Sequence, residues 1–88
     1  MALYDVTPKP SVEKDLRVLP KSVITRVLER IEALKDNPRP HQSIKVTGRE
    51  DLYRVRVGDY RIVYEINETA KKVTIHYVRH RREVYRGL

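Results

Sequence analysis

Three arginines lie close together in two segments where apolar and other residues alternate. Arg54 and Arg56 belong to the first segment and Arg61 to the second. The Gly58-Asp59 pair between the segments is typical of a β-hairpin with a two-residue turn. Such a turn pairs Arg56 with Arg61 directly across the strands and puts Arg54 on the same face.

This arrangement indicates an anion site. Like charges opposite one another destabilise a sheet, so a face that keeps three guanidinium groups is expected to receive an anion. The planar guanidinium group matches two phosphoryl oxygens. The chain has 19 Lys and Arg against 12 Asp and Glu, a net charge of +7, which favours nucleic acid as the partner. The alternative is a solvated face on which Glu65 and nearby carboxylates offset the arginines.

A second basic segment follows the last predicted strand, where residues 79–86 read RHRREVYR. That strand is expected to run antiparallel to the one carrying Arg61, so its far end should lie beside this arginine. We therefore predict that Arg79 or Arg81 joins the cluster, with Tyr85 just beyond. The alternative is a basic tail with no part in a site.

The elements that position these residues follow from the hydrophobic period. Residues 2–7 alternate and predict a short strand, ended by the prolines that follow. Ser11 is predicted to cap a first helix and Pro20 to begin a second, which Asn37-Pro38 ends. The apolar positions with helical spacing are Val12, Leu16 and Leu19, then Val23, Ile24, Val27, Leu28, Ile31 and Leu34.

After a loop at 38–50 the period changes to two. The predicted strands are 52–57, 60–66 and 72–79, and the side chains expected to meet the helices are Tyr53, Val55, Val57, Tyr60, Ile62 and Tyr64. These patterns predict one α+β domain over residues 1–88. It would have a small antiparallel sheet of about four strands, two N-terminal helices on one face, and a short C-terminal helical segment at 81–88.

Composition argues against several other classes. The chain has no cysteine and only three glycines, so it offers no thiolate chemistry and no glycine-rich phosphate loop. His41, His76 and His80 lack metal-ligand spacing, and neither a metal nor a cofactor is expected. No apolar run approaches the roughly 20 residues of a membrane span, and the N-terminus lacks the pattern of a secretory signal. We expect a cytoplasmic protein without a membrane partner.

Two segments, LYRVRVGDYRIVY at 52–64 and HRREVY at 80–85, together resemble the RelE/ParE superfamily, and its RelE ribonuclease branch more closely. The predicted order of strand, two helices, three strands and terminal element extends the resemblance over almost the whole chain. The resemblance implies the toxin of a type II toxin–antitoxin system that cleaves messenger RNA in the ribosomal A site. It also implies a RelB-like antitoxin that wraps the toxin and holds it inactive.

The resemblance assigns roles to particular residues. Basic residues near the scissile phosphate correspond to Arg54 and Arg56, and the arginine of the following strand corresponds to Arg61. The arginine before the terminal helix corresponds to Arg81, or to Arg79 in an ungapped alignment with some members. Several members have lysines where this chain has Arg54 and Arg56, and arginine does not release its proton.

A lysine base is therefore not available, and Tyr85 becomes the candidate for proton transfer, with His80 as a possible substitute. Metal-free cleavage through the 2′-hydroxyl would use Arg61 and Arg81 to stabilise the phosphorane. The predicted RNA-binding residues are Arg54, Arg56, Arg79 and His80. Three alternatives remain: a ParE-like gyrase inhibitor, a non-catalytic RNA- or ribosome-binding module, and a Tyr85 that only anchors the terminal segment.

Overall fold

The computed structural model describes residues 3–46, 48 and 51–80. Its elements, in chain order, are β1 (Asp5–Pro8), α1 (Pro10–Arg17), α2 (Lys21–Ala33), β2 (Ile44–Lys45), β3 (Leu52–Val57), β4 (Tyr60–Asn67) and β5 (Lys72–His80). The strands form one five-stranded sheet in the order β1-β5-β4-β3-β2. The helices pack on one face of this sheet. The predicted α+β class is confirmed.

The sheet differs from the predicted one in two respects. It has five strands rather than about four, because the two-residue β2 lies inside the loop predicted at 38–50 and pairs with β3. It is also mixed, because β1 runs parallel to β5 while the other neighbours are antiparallel. A two-residue strand is too short to show alternation, and parallel pairing between distant segments leaves no local pattern. The predicted helical segment at 81–88 lies outside the described residues.

Three prolines fix the boundaries of the first elements differently from the prediction. Pro8 is the last residue of β1, an edge strand, where a missing N–H costs no ladder bond. Pro10, not the residue after Ser11, begins α1, and Lys9 takes the N-cap position without a side-chain cap. Pro20 is the N-cap of α2 with extended backbone, so the helix starts at Lys21 and ends at Ala33, before the predicted stop.

The hairpin register is confirmed. Arg56 pairs with Arg61, and the neighbouring pairs Val57–Tyr60, Val55–Ile62 and Arg54–Val63 follow as predicted. Gly58 has φ +60°, a conformation that residues with a Cβ rarely adopt, and this explains glycine at the first turn position.

The core lies between the helices and one face of the sheet. The helices and the residues just after them contribute buried Val12, Leu19, Val27 and Leu34, and the sheet contributes Val55, Val57, Ile62, Tyr64, Ile66, Val73, Ile75 and Val78. Tyr53 and Tyr60 are partly buried against this core, so the predicted helix-facing set is confirmed. Among the described residues, neither helix is long and apolar enough to cross a membrane.

One buried polar group ties the sheet to the loop after α2. Tyr64 is fully buried, and its hydroxyl donates a hydrogen bond to the carbonyl oxygen of Pro38 at 2.7 Å. Burial raises the pKa of Tyr64 to about 12. The neutral phenol is therefore part of the folded state, and it holds the loop that leads into β2.

Candidate anion-binding site

Three arginines form a row across three adjacent strands on the face of the sheet opposite the helices. Arg56 of β3 pairs with Arg61 of β4, and Arg61 pairs in turn with Arg79 of β5. Directly opposite residues of antiparallel strands project from the same face. Arg54 lies two residues before Arg56 and therefore projects from this face as well.

A pocket of about 420 Å³ lies where this row meets the uncovered part of β3. Because β2 pairs with β3 only at Tyr53 and Arg54, the rest of β3 has no neighbour on that side among the described residues. The pocket is lined by Arg54, Arg56 and Arg61 of the sheet, by Arg26 and Arg30 of α2, and by Gln42, Ile44 and Gly58. Five guanidinium groups thus meet, and none of the described lining residues carries a carboxylate, an arrangement suited to bind phosphate.

Sequence reasoning does not find Arg26 and Arg30 as members of the site. The helical pattern places Arg30 on the solvent side of its helix and gives Arg26 no special role. Their four-residue spacing puts both arginines on one side of α2, and this spacing is the only feature of the sequence that groups them. The spacing alone does not show which strand they approach, because that depends on how α2 packs against β3.

Arg56 and Arg61 are held differently within the pocket. The Nε atom of Arg56 donates to the carbonyl oxygen of Gly58 at 2.7 Å, and its Nη2 lies 4.0 Å from Oδ1 of Asp59. The Arg56 side chain is 57% exposed, so its nearest carboxylate is a weak and solvated partner. Arg61 is half-buried, and its Nη1 atom is buried. Arg61 is therefore the less exposed of the two groups.

Arg79 continues the row in register but belongs to a different pocket, lined also by Asp15. Its Nε lies 3.8 Å from Oδ1 of Asp15, and its guanidinium group lies over the Tyr77 ring at 4.6 Å from the centroid. Asp15 also accepts a hydrogen bond from the backbone N–H of Val78 at 3.1 Å, at the edge of β5 beyond the end of β1. This carboxylate partly neutralises Arg79, whereas within the described part of the chain no acidic residue lines the first pocket.

His80 lies on the helix side of the sheet. It pairs in register with Tyr60, whose ring it meets edge-on at a centroid distance of 5.5 Å, and Tyr60 packs against the core. The structure therefore does not bring His80 together with Arg54, Arg56 or Arg61. The RNA-binding roles of Arg79 and His80 stay predictions, as do those of Arg81 and Tyr85, which lie outside the described residues.

A second charged cluster lies just beyond the other end of β4. Glu68 accepts hydrogen bonds from Lys71 at 2.5 Å and from the hydroxyl of Tyr4 at 2.6 Å, and it pairs with Arg39 at 2.9 Å. The hydrogen bond from Lys71, followed by those from Tyr4 and Arg39, lowers the pKa of Glu68 to about 2. The hydroxyl of Tyr53 accepts a hydrogen bond from Arg39 and is the main cause that raises the pKa of this arginine. Both cations, Arg39 and Lys71, are thus paired with the same carboxylate of the protein.

Within the described part of the chain, no three His, Asp or Glu side chains come together as a set that could hold a metal ion. The chemistry available at the arginine pocket is the binding of phosphate oxygens and the stabilisation of negative charge that develops on them.

Comparison with known proteins gives the class. The profile of a family described as the ParE toxin of type II toxin–antitoxin systems, parDE, matches residues 6–85. The putative toxin RelE1 of Methanocaldococcus jannaschii is 31% identical over an alignment of 87 residues, and the alignment covers 96% of this chain and 97% of that protein.

Solved structures agree with this class. A chain of the archaeal RelE–RelB complex from Pyrococcus horikoshii OT3 has a TM-score of 0.81 and 37% identity, covering 90% of this chain and 96% of its own. A chain of the RelBE2 toxin–antitoxin complex from Mycobacterium tuberculosis has a TM-score of 0.75 and 28% identity, covering 88% and 96%. The chain has the fold and sequence of a type II toxin–antitoxin toxin. It belongs to the RelE/ParE superfamily and is RelE-like.

Proposed function

We propose that this toxin is a metal-independent endoribonuclease that cleaves messenger RNA in the ribosomal A site. The observation that carries the proposal is the pocket in which five arginines converge with no carboxylate among its described lining residues. A site of this charge attracts and orients a phosphodiester backbone. The RelE-like character of the chain supports RNA as the source of that phosphodiester.

Cleavage would proceed by attack of the 2′-hydroxyl oxygen on the adjacent phosphorus. The hydroxyl must lose its proton, the phosphorane charge must be stabilised, and the 5′-oxygen must gain a proton as its bond to phosphorus breaks. We assign the second task to Arg61, the half-buried guanidinium group of the pocket, together with Arg81. Arg54 and Arg56 orient the phosphate backbone, and Tyr85 is the proposed base.

The partner we propose is a RelB-like antitoxin. The solved relatives from Pyrococcus horikoshii and Mycobacterium tuberculosis are complexes of a toxin with its antitoxin. An antitoxin that covers the arginine pocket would keep this toxin inactive, and both partners would act in the cytoplasm, where translated messages are found.

The central test is Arg61→Ala in a cleavage assay on messages bound to purified ribosomes. Removal of one group that stabilises developing charge typically costs about 100- to 1000-fold in rate, and we expect a loss of that size. Arg17→Ala is the matched control, because Arg17 is an exposed arginine of α1 paired with Glu13 at 2.8 Å. Cleavage by Arg61→Ala at the wild-type rate would refute the assignment.

A second function follows from the description of the matching family profile, which names ParE. A ParE-like toxin would inhibit DNA gyrase and leave messages intact. A supercoiling assay run beside the cleavage assay separates the two functions. A protein that binds RNA with steep salt dependence, cleaves no message and leaves gyrase active would instead be a non-catalytic binding module.

A further inference from the structure

The two arginines of α2 carry charge that the described part of the chain does not neutralise. Arg26 and Arg30 lie one helical turn apart and line the same pocket as the sheet arginines. No carboxylate of a described residue lies within ion-pairing distance of either. Glu29, three residues from Arg26 on the same helix, is not paired with it.

Two other cations on or just after the helices are paired with carboxylates. On α1, Arg17 pairs with Glu13 at a spacing of four residues, and just after α2, Lys35 pairs with Glu32 at 3.0 Å. Lys14 of α1 and Lys21 of α2 also have no carboxylate within ion-pairing distance among the described residues, but neither lines the pocket. The two α2 arginines differ from these lysines because they lie beside three other arginines. Keeping two more positive charges beside three others is unfavourable unless an anion offsets the repulsion.

The helix and sheet arginines are close enough to share one ligand. The Nη1 atom of Arg26 lies 3.5 Å from the position that a Cβ at Gly58 would take, at the turn that joins β3 and β4. The volume of about 420 Å³ falls within the roughly 300–1000 Å³ of ligand pockets. Ile44, which belongs to the lining, is 56% exposed and offers an apolar surface beside the charges.

We propose that Arg26 and Arg30 form a second phosphate subsite, which binds a phosphodiester of the RNA other than the one cleaved. An RNA strand on the arginine row would then cross the uncovered side of β3 and continue onto α2. The inference rests on the proposed function for the identity of the strand as RNA. The subsite binds and positions the strand and takes no part in bond breaking.

The test measures binding of a short single-stranded RNA that cannot be cleaved because the 2′-hydroxyl at the scissile position is replaced by hydrogen. Affinity is measured by fluorescence anisotropy over a series of salt concentrations, for the full chain and for Arg26→Gln/Arg30→Gln. We expect about 10-fold weaker binding at low salt. The slope of log affinity against log salt should fall by roughly 0.7 for each phosphate of a single strand that the variant no longer neutralises.

Two further variants keep the test decisive. Arg17→Gln removes one positive charge from α1 outside the pocket, and it should leave the salt slope nearly unchanged. Arg26→Lys/Arg30→Lys keeps the charge and should restore most of the slope. If the glutamine pair gives the wild-type affinity and slope, or no larger a change than Arg17→Gln, the subsite does not exist.

Ligand length and type separate a strand-binding subsite from a free-phosphate site. A dinucleotide with one phosphodiester should bind the wild type and the glutamine pair alike, because it cannot occupy both positions. Inorganic phosphate that competes as well as the longer RNA would overturn the second-phosphodiester assignment. Since the RNA is not cleaved, these results stand whether or not Arg61→Ala abolishes nuclease activity.

Discussion

At the start of β4, Arg61 lies in a pocket with four other arginines, whereas just beyond the end of this strand Glu68 gathers Arg39 and Lys71 around one carboxylate. Both regions concentrate positive charge. In the second region both cations are paired with one carboxylate of the chain, and the cluster ties together the segment before β1, the loop after α2 and the β4–β5 turn. In the first region, none of the lining residues that the structure describes is acidic.

The two regions show two uses of basic side chains, one in stabilising the fold and one in binding a ligand. A cation that is already paired contributes to the folded structure and has little to offer a ligand. Cations crowded into one pocket repel one another, and a bound polyanion offsets this repulsion. The arginine pocket and the Glu68 cluster should therefore respond in opposite ways to substitution.

The largest effect is expected for Arg56→Glu. Reversing this charge should weaken binding of single-stranded RNA by about 100-fold, because it removes one phosphate contact and adds a repulsive carboxylate. The same change places opposite charges at the Arg56–Arg61 pair, and such pairs contribute about 0.2–1 kcal/mol to a sheet. We expect RNA affinity to fall while the free energy of unfolding, measured with urea, stays the same or rises. If Arg56→Glu lost both RNA affinity and stability, Arg56 would contribute to the fold as well as to binding, and the proposed difference between the arginine pocket and the Glu68 cluster would not hold.

Tyr64→Phe should lower the stability of the fold and leave RNA affinity unchanged. It leaves the carbonyl oxygen of Pro38 without the hydrogen bond that the buried hydroxyl donates. An unsatisfied buried polar group costs about 1–3 kcal/mol, and we expect the free energy of unfolding to fall by that amount. RNA affinity at a temperature where the variant is folded should not change. An unchanged urea midpoint would show that the loop after α2 does not depend on this bond.

The smallest effect is expected at Glu68, and it depends on pH. Its pKa is lowered from the ordinary 4.5 to about 2 in the folded protein, so the carboxylate contributes stability at pH values above 4.5. This contribution should decline as the pH falls from 4.5 towards 2, because the folded state must then take up a proton at a site that disfavours it.

The measurement is the urea midpoint of unfolding as a function of pH, from the acid range, where the midpoint declines (the acid limb), up to neutral pH. Glu68→Gln should flatten the acid limb of the profile relative to the wild type, whereas Glu29→Gln, which removes an exposed carboxylate from α2, should not. RNA affinity at neutral pH should be the same in both variants. A wild-type limb that Glu68→Gln leaves unaltered would show that the cluster adds nothing to stability.

Local patterns are enough to predict the part of the site that one hairpin builds. The Gly58-Asp59 turn and the alternation on either side set the register, so the sequence alone places Arg54, Arg56 and Arg61 on one face. Local patterns do not predict the surroundings of Arg79 and His80 at the end of β5. They do not show that Asp15 of α1 reaches Arg79, or that His80 turns to the helix side with Tyr60.

By itself, the sequence determined the α+β class, both helices, the hairpin register and the excess of arginine on one sheet face, because each depends on neighbours within a few residues. Only the tertiary structure decided that β1 joins β5 in parallel, that β2 is too short to cover β3, and that α2 brings Arg26 and Arg30 to the pocket. These features depend on contacts between segments far apart in the chain. Their geometry is set by how whole elements pack, which no local period encodes.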